Sequence, residues 1–247
     1  MPSDYDALYR AEVLDPLRLV SYRHRGVPPA AEAYPQSLWL DVFVQFVVSP
    51  LGTETVSGLV TCYALNERNQ TAKLALSGAE TEEHAPLAMR GLLLFINYLF
   101  GVHPIRKLYG EVLSWNRHQF ASMERYGATL EGCLRGHELH GDQEVDLYIY
   151  GLTRGAWRRY KTAIERQGAG ELSPSEAVRS VLELEPGDVL QITSLDSLDR
   201  VVVAEVLENT FELLVPDDVL FATTDDRFDA YLAECDYAWS QRLSATL

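Results

Sequence analysis

The spacing of apolar residues changes along the chain, and each change marks an element. Residues 39–50 (WLDVFVQFVVSP), 56–66 (VSGLVTCYALN) and 71–78 (TAKLALSG) are rich in β-branched residues and broken by Gly, Asn and Pro, which predicts three successive strands. Residues 85–101 (APLAMRGLLLFINYLFG) switch to helical spacing. A strand follows at 105–113 (IRKLYGEVL), then a helix at 117–127 (RHQFASMERYG) that Gly127 stops. Residues 127–154 alternate over a long hairpin that turns at His140-Gly141-Asp142. This order predicts a mixed α/β sheet. Beyond it, 173–184 (SPSEAVRSVLEL), 197–211 (SLDRVVVAEVLENTF) and 225–239 (DDRFDAYLAECDYAW) all have helical periodicity, and no segment alternates as a strand would. They predict a small all-α helical bundle.

The junction at 166–177 (RQGAGELSPSEA) separates two expected domains, 1–168 and 171–247. Gly168 and Gly170 end one helical stretch, and Ser173-Pro174-Ser175-Glu176 starts the next. Charge supports the division. Residues 1–170 hold 17 basic and 19 acidic side chains, and residues 171–247 hold 4 and 17, out of a net charge of −15. Neither part has the basic face that phosphate backbones require, so nucleic acid is not an expected partner. No apolar run reaches the roughly 18 residues of a membrane span, and the first residues lack the pattern of a secretory signal. Cys62, Cys133 and Cys235 are odd in number, widely spaced and without a metal-ligand pattern. They read as reduced thiols in a cytoplasmic protein.

The first part carries, in order, INYLF at 96–100, IRKLYGEV at 105–112, Asn116, MERYGATLEG at 123–132, and Asp146 before LYIYGLTRGAW at 147–157. This order resembles the GNAT superfamily of N-acyltransferases, especially its ribosomal-protein N-terminal acetyltransferase branch. The resemblance implies an acyl thioester donor, acyl-CoA or an acyl-carrier, with its pantetheine arm between splayed strands near 72–78 and 108–113. It also implies a small-molecule amine acceptor, and Asn116 as a donor-binding residue. Glu111, His84 and His118 are the candidates to hold or take the amine proton. Two departures stand out. Met123 falls where many members have a tyrosine that acts as general acid. His84 and Pro86 fall on the first two glycines of the loop that cradles the CoA pyrophosphate, and Glu80, Glu82 and Glu83 surround them. Proline offers no N–H and the glutamates repel a diphosphate, so a weakened grip on the CoA nucleotide is expected.

The second part resembles the acyl carrier protein family around Asp196-Ser197-Leu198. Leu207, Glu208, Phe211, Val215-Pro216-Asp217, Thr224 and AYL at 230–232 keep that register. The resemblance implies covalent 4'-phosphopantetheine on Ser197, installed by a phosphopantetheinyl transferase, with carrier-loading or downstream biosynthetic enzymes as further partners. Asp196, Asp199 and Glu205 are expected to offer an acidic docking face. Val202 stands where an acidic residue is common, and the stretch before Ser197 is short. Three functions remain open: transfer of a carrier-bound acyl group to an amine in specialised biosynthesis, loading of the carrier from acyl-CoA, or a non-catalytic scaffold.

Overall fold

The structure is a computed structural model. It describes residues 2–10, 13, 29–50, 52–53, 55–77, 85–140, 142–168, 172–185, 188–220 and 224–246. By its contacts the chain divides into two compact units. The first comprises residues 1–118 and 127–154, and the second comprises 119–126 and 155–247. The division does not fall at the Gly168–Gly170 junction.

In the first unit, six strands form one sheet in the order β1-β2-β3-β4-β6-β5: β1 (Val42–Val48), β2 (Gly58–Asn66), β3 (Thr71–Ser77), β4 (Lys107–Leu113), β5 (Ala128–His140) and β6 (Gln143–Thr153). All pairs are antiparallel except β3 with β4. The hairpin β5–β6 turns where the alternation placed it, with His140 opposite Gln143.

Two short helices, α1 (Pro2–Tyr9) and α2 (Tyr34–Ser37), precede the sheet. Leu8, Tyr34 and Leu38 bury themselves with Leu59 of β2 in one cluster. The long helix α3 (Ala85–Val102) crosses the sheet's other face, where Phe46 of β1 meets the rings of Phe95 and Tyr98. Gly91 is what permits that approach, because a Cβ there would collide with the Val48 side chain. Gly91→Ala is therefore expected to cost about 1–3 kcal/mol as an overpacking change, read as a lowered urea midpoint.

The expected helix at 117–127 is instead a tight 3-10 segment over Ser114–Glu124, kinked at Phe120. Its polar residues give it no continuous apolar stripe to hold a regular helix on a core. Gly127, at a φ of 93°, ends it as expected.

The described residues of the second unit form helices and no strands: α4 (Arg154–Gly168), α5 (Pro174–Val181), α6 (Ser197–Phe211), α7 (Asp217–Leu220) and α8 (Asp225–Thr246), with a short 3-10 turn at Ile192–Ser194. Helix α5 starts as its sequence indicates. Ser173 accepts from the Glu176 amide and Glu176 accepts from the Ser173 amide, a reciprocal cap. Ser173→Ala should cost about 1 kcal/mol, measurable as a shift in the denaturation midpoint.

Helix α6 is buried on nearly every side. Leu198, Val201, Val202, Val203, Ala204, Val206, Leu207 and Phe211 are all core residues. Such a helix is the centre of its unit rather than a surface element. Phe211 packs edge-on against Trp239 of α8, as expected of a core phenylalanine.

Candidate functional site

The central feature of the first unit is the end of the β3–β4 ladder. Thr71, Ala72, Lys73 and Leu74 pair with Lys107, Leu108, Tyr109 and Gly110, and there the pairing stops. Ala75, Leu76 and Ser77 continue to pair with β2 alone, while Glu111, Val112 and Leu113 pair with β6 alone. Both strands run on, but apart. This is the splay expected near 72–78 and 108–113. Gly110, the last residue of β4 to pair with β3, has open space where a side chain would stand.

Glu111 is the first residue of β4 past that fork. Its Oε1 accepts from Lys73 Nζ at 2.6 Å, and the Glu111 side chain is 11% exposed. Its Oε2 is buried and has no hydrogen-bond partner among the described residues. A buried carboxylate oxygen without a donor is costly, and such groups concentrate at functional sites. Lys73, on the strand across the fork, was not apparent from sequence. Alternation told which face it occupies, but the pairing with Glu111 requires the register of a parallel crossover.

Asn116 follows β4 within the 3-10 segment and is half-buried, and His118 beyond it is exposed. No hydrogen bond or ion pair among the described residues joins either to Glu111. His84, with Glu80, Glu82 and Glu83, lies outside the described residues. Pro86 is the second residue of α3, so one N–H is missing from that first helical turn. Met123 occupies the 3-10 segment and has no proton to give.

Ser197 is the first residue of α6, and Asp196 caps the helix by accepting from the Leu198 and Asp199 amides at 2.9 and 2.8 Å. Of the three acids expected to form a docking face, Asp199 and Glu205 are engaged within the unit. Asp199 is only 6% exposed; it accepts from Arg125 at 2.8 Å and from the Tyr126 hydroxyl through a short hydrogen bond. Glu205 accepts from Lys161 at 2.7 Å and lies beside the Tyr160 hydroxyl. Tyr126 and Tyr160 meet edge-on, and Trp157 leans on Tyr160. These carboxylates are spent inside the unit, on residues that neighbour them only in space.

Burial raises Asp199 above the usual carboxylate range despite the Tyr126 and Arg125 donors. Burial works against the Arg125 charge, yet Asp199 and Tyr126 hold that group above its ordinary value. Burial also pushes the Cys62 thiol up to about 12, so it is not a reactive thiolate.

Neither a protein-family model nor a curated protein matches the chain. Solved structures do match. A GCN5-related N-acetyltransferase from Brucella melitensis superposes with a TM-score of 0.50 at 22% identity, over 64% of this chain and 75% of its own. A variant of the spermidine N-acetyltransferase SpeG from Vibrio cholerae gives 0.51 at 18%, over 62% and 93%. A chimera of the Vibrio cholerae enzyme and hSSAT gives 0.51 at 19%, over 63% and 94%. The mixed sheet with its flanking helices is the GNAT fold. These likenesses leave more than a third of this chain without a counterpart. Among the described residues, no helix is long and apolar enough to cross a membrane, and no group of three His, Cys, Asp or Glu is placed to hold a metal ion.

Proposed function

We propose that this protein is a GNAT-type acyltransferase that passes an acyl group from a pantetheine thioester to an amine. The observation that carries the reading is the fork between β3 and β4 with Glu111 at its edge, one oxygen held by Lys73 and the other buried without a donor. An extended arm lying in the fork presents its thioester carbonyl beside that carboxylate. The amine nitrogen attacks the carbonyl carbon, the C–S bond breaks, and the thiolate leaves. Glu111 Oε2 takes the proton that the amine sheds and passes it to the departing sulfur, which ends as a thiol and leaves Glu111 again a carboxylate.

The finer proposal concerns the donor. In it, Ser197 carries the acyl group on 4'-phosphopantetheine, and the transfer belongs to specialised metabolism. A phosphopantetheinyl transferase and the enzymes that load or relieve the carrier are then its partners. Support comes from the sequence register around Asp196-Ser197-Leu198 and from the position of Ser197 as the first residue of α6. Because Asp199 and Glu205 are engaged internally, a modifying enzyme must dock elsewhere than on an acidic face of α6. The test is intact mass after incubation with CoA and a promiscuous phosphopantetheinyl transferase. A gain of one phosphopantetheine that Ser197→Ala abolishes supports the carrier, and no gain leaves acyl-CoA as the donor. Incubation with labelled acyl-CoA and a panel of amines then tests transfer itself. Label that never reaches an amine sinks the acyltransferase reading.

A further inference from the structure

Three buried side-chain oxygens lack a hydrogen-bond partner among the described residues: Gln45 Oε1, Ser57 Oγ and Glu111 Oε2. Gln45 and Glu111 lie on one face of the sheet. Phe46 points to α3, so Gln45, its neighbour on β1, points to the opposite face. Gln45 stands opposite Thr61, and Thr61 opposite Ala75. Ser57 immediately precedes β2. Ala75 follows Leu74, whose partner Gly110 precedes Glu111, and Lys73 on the same side of β3 reaches Glu111. Gln45, Thr61, Ala75 and Glu111 therefore form one row across four strands, with the fork between the last two.

The row has a chemical character. Its two ends are unsatisfied hydrogen-bond acceptors, and the residues between them are small. Its one carboxylate is already matched by Lys73, so the row does not call for a second cation. Helix α3 covers the other face, while on this face α1 and α2 pack around Leu59, so an acceptor that reaches a thioester in the fork lies against those two helices. We propose that Gln45 and Glu111 hold the acceptor between them, and that the acceptor is an amine carrying a second, uncharged N–H donor. Glu111 meets the reacting nitrogen and Gln45 accepts from the second group. The row spans two paired strand spacings, roughly 10 Å of backbone, plus the wider fork, so the two donors are separated by a chain rather than adjacent. This inference rests on the acyl-transfer reading of the same site.

The test uses the full-length protein, a labelled acetyl thioester, a series of ω-amino amides of increasing length, and the methyl ester matching each. An ester offers an oxygen where the amide offers N–H. At the best length the amide should exceed its ester by about fivefold to tenfold in kcat/KM, the worth of one hydrogen bond. Gln45→Leu should bring the amide down to the level of its ester. It should not lower the thermal midpoint, because it removes an unsatisfied buried oxygen. Calorimetric titration of the amides runs alongside. Amides that bind in a Gln45-dependent way without being acylated uphold this inference and overturn the acyltransferase reading. Acylation with equal rates for amide and ester, or a preference that survives Gln45→Leu, overturns the inference and leaves the reading intact. Amides that neither bind nor react overturn both.

Discussion

Glu111→Gln should lower kcat/KM for acyl transfer to an amine by about a hundredfold to a thousandfold, with little change in donor affinity. The substitution keeps the side chain's shape and its place on β4, but a carboxamide cannot take the amine proton. General bases contribute roughly that much to proton-transfer steps. Loss of transfer with intact donor binding separates a base from a residue that merely shapes the fork. A second variant guards against a structural explanation. Lys73→Met leaves Glu111 buried without its cation and should also reduce transfer, whereas Lys73→Arg retains the charge and should recover most of it. Steady-state rates at several amine concentrations, with donor affinity measured by calorimetry, check the set. Full activity in Glu111→Gln would remove Glu111 from the chemistry.

The other large effect is on stability. Residues 171–247 expressed alone should not fold as a cooperative unit. That fragment lacks Arg125, Tyr126, Tyr160 and Lys161, which satisfy Asp199 and Glu205 in the whole protein. Removing the partners of a buried charge typically costs about 3–5 kcal/mol per site, a large part of a small domain's stability. In the intact chain, Arg125→Met with Tyr126→Phe should produce a loss of that order, read by chemical denaturation. Asp199→Asn should do less damage and should also change the pH response. Because burial raises Asp199, the folded state holds its proton more tightly than the unfolded chain does. Its contribution to stability is therefore largest below the ordinary carboxylate range and declines as pH rises through the raised value. Asp199→Asn should flatten that decline. A cooperative 171–247 fragment would instead favour independent domains joined at Gly168–Gly170.

Alternation and turn chemistry made much of the fold legible. The β5–β6 turn at His140–Asp142, the reciprocal cap of Ser173 with Glu176 and the strands around the fork all follow from local spacing. Glu111 was visible as a candidate because one strand carried it beside the expected donor path. Lys73 and Gln45 were not, since strand period assigns a face but not the cross-strand row, and register depends on loops that connect distant segments. The fate of Asp199 and Glu205 was hidden for a related reason. Composition shows an acidic helix, but nothing local says that residues 119–126 and 157–161 supply its partners. Arg125 and Asp199 are separated by 74 positions. A helix apolar around most of its circumference was the available hint that its few acidic residues would also be enclosed.

The central claim is that a pantetheine thioester lies in the fork between β3 and β4, beside Glu111. Amide hydrogen exchange on the full-length protein, with and without a non-hydrolysable acyl-pantetheine analogue, tests it most directly. The analogue lacks the nucleotide, so the departures at His84 and Pro86 from the expected diphosphate-binding sequence do not enter the result. Bound analogue should slow exchange in peptides containing Ala75–Ser77 and Glu111–Leu113, where the strands no longer pair with each other. Binding that protects other segments and leaves those two unchanged would contradict the account.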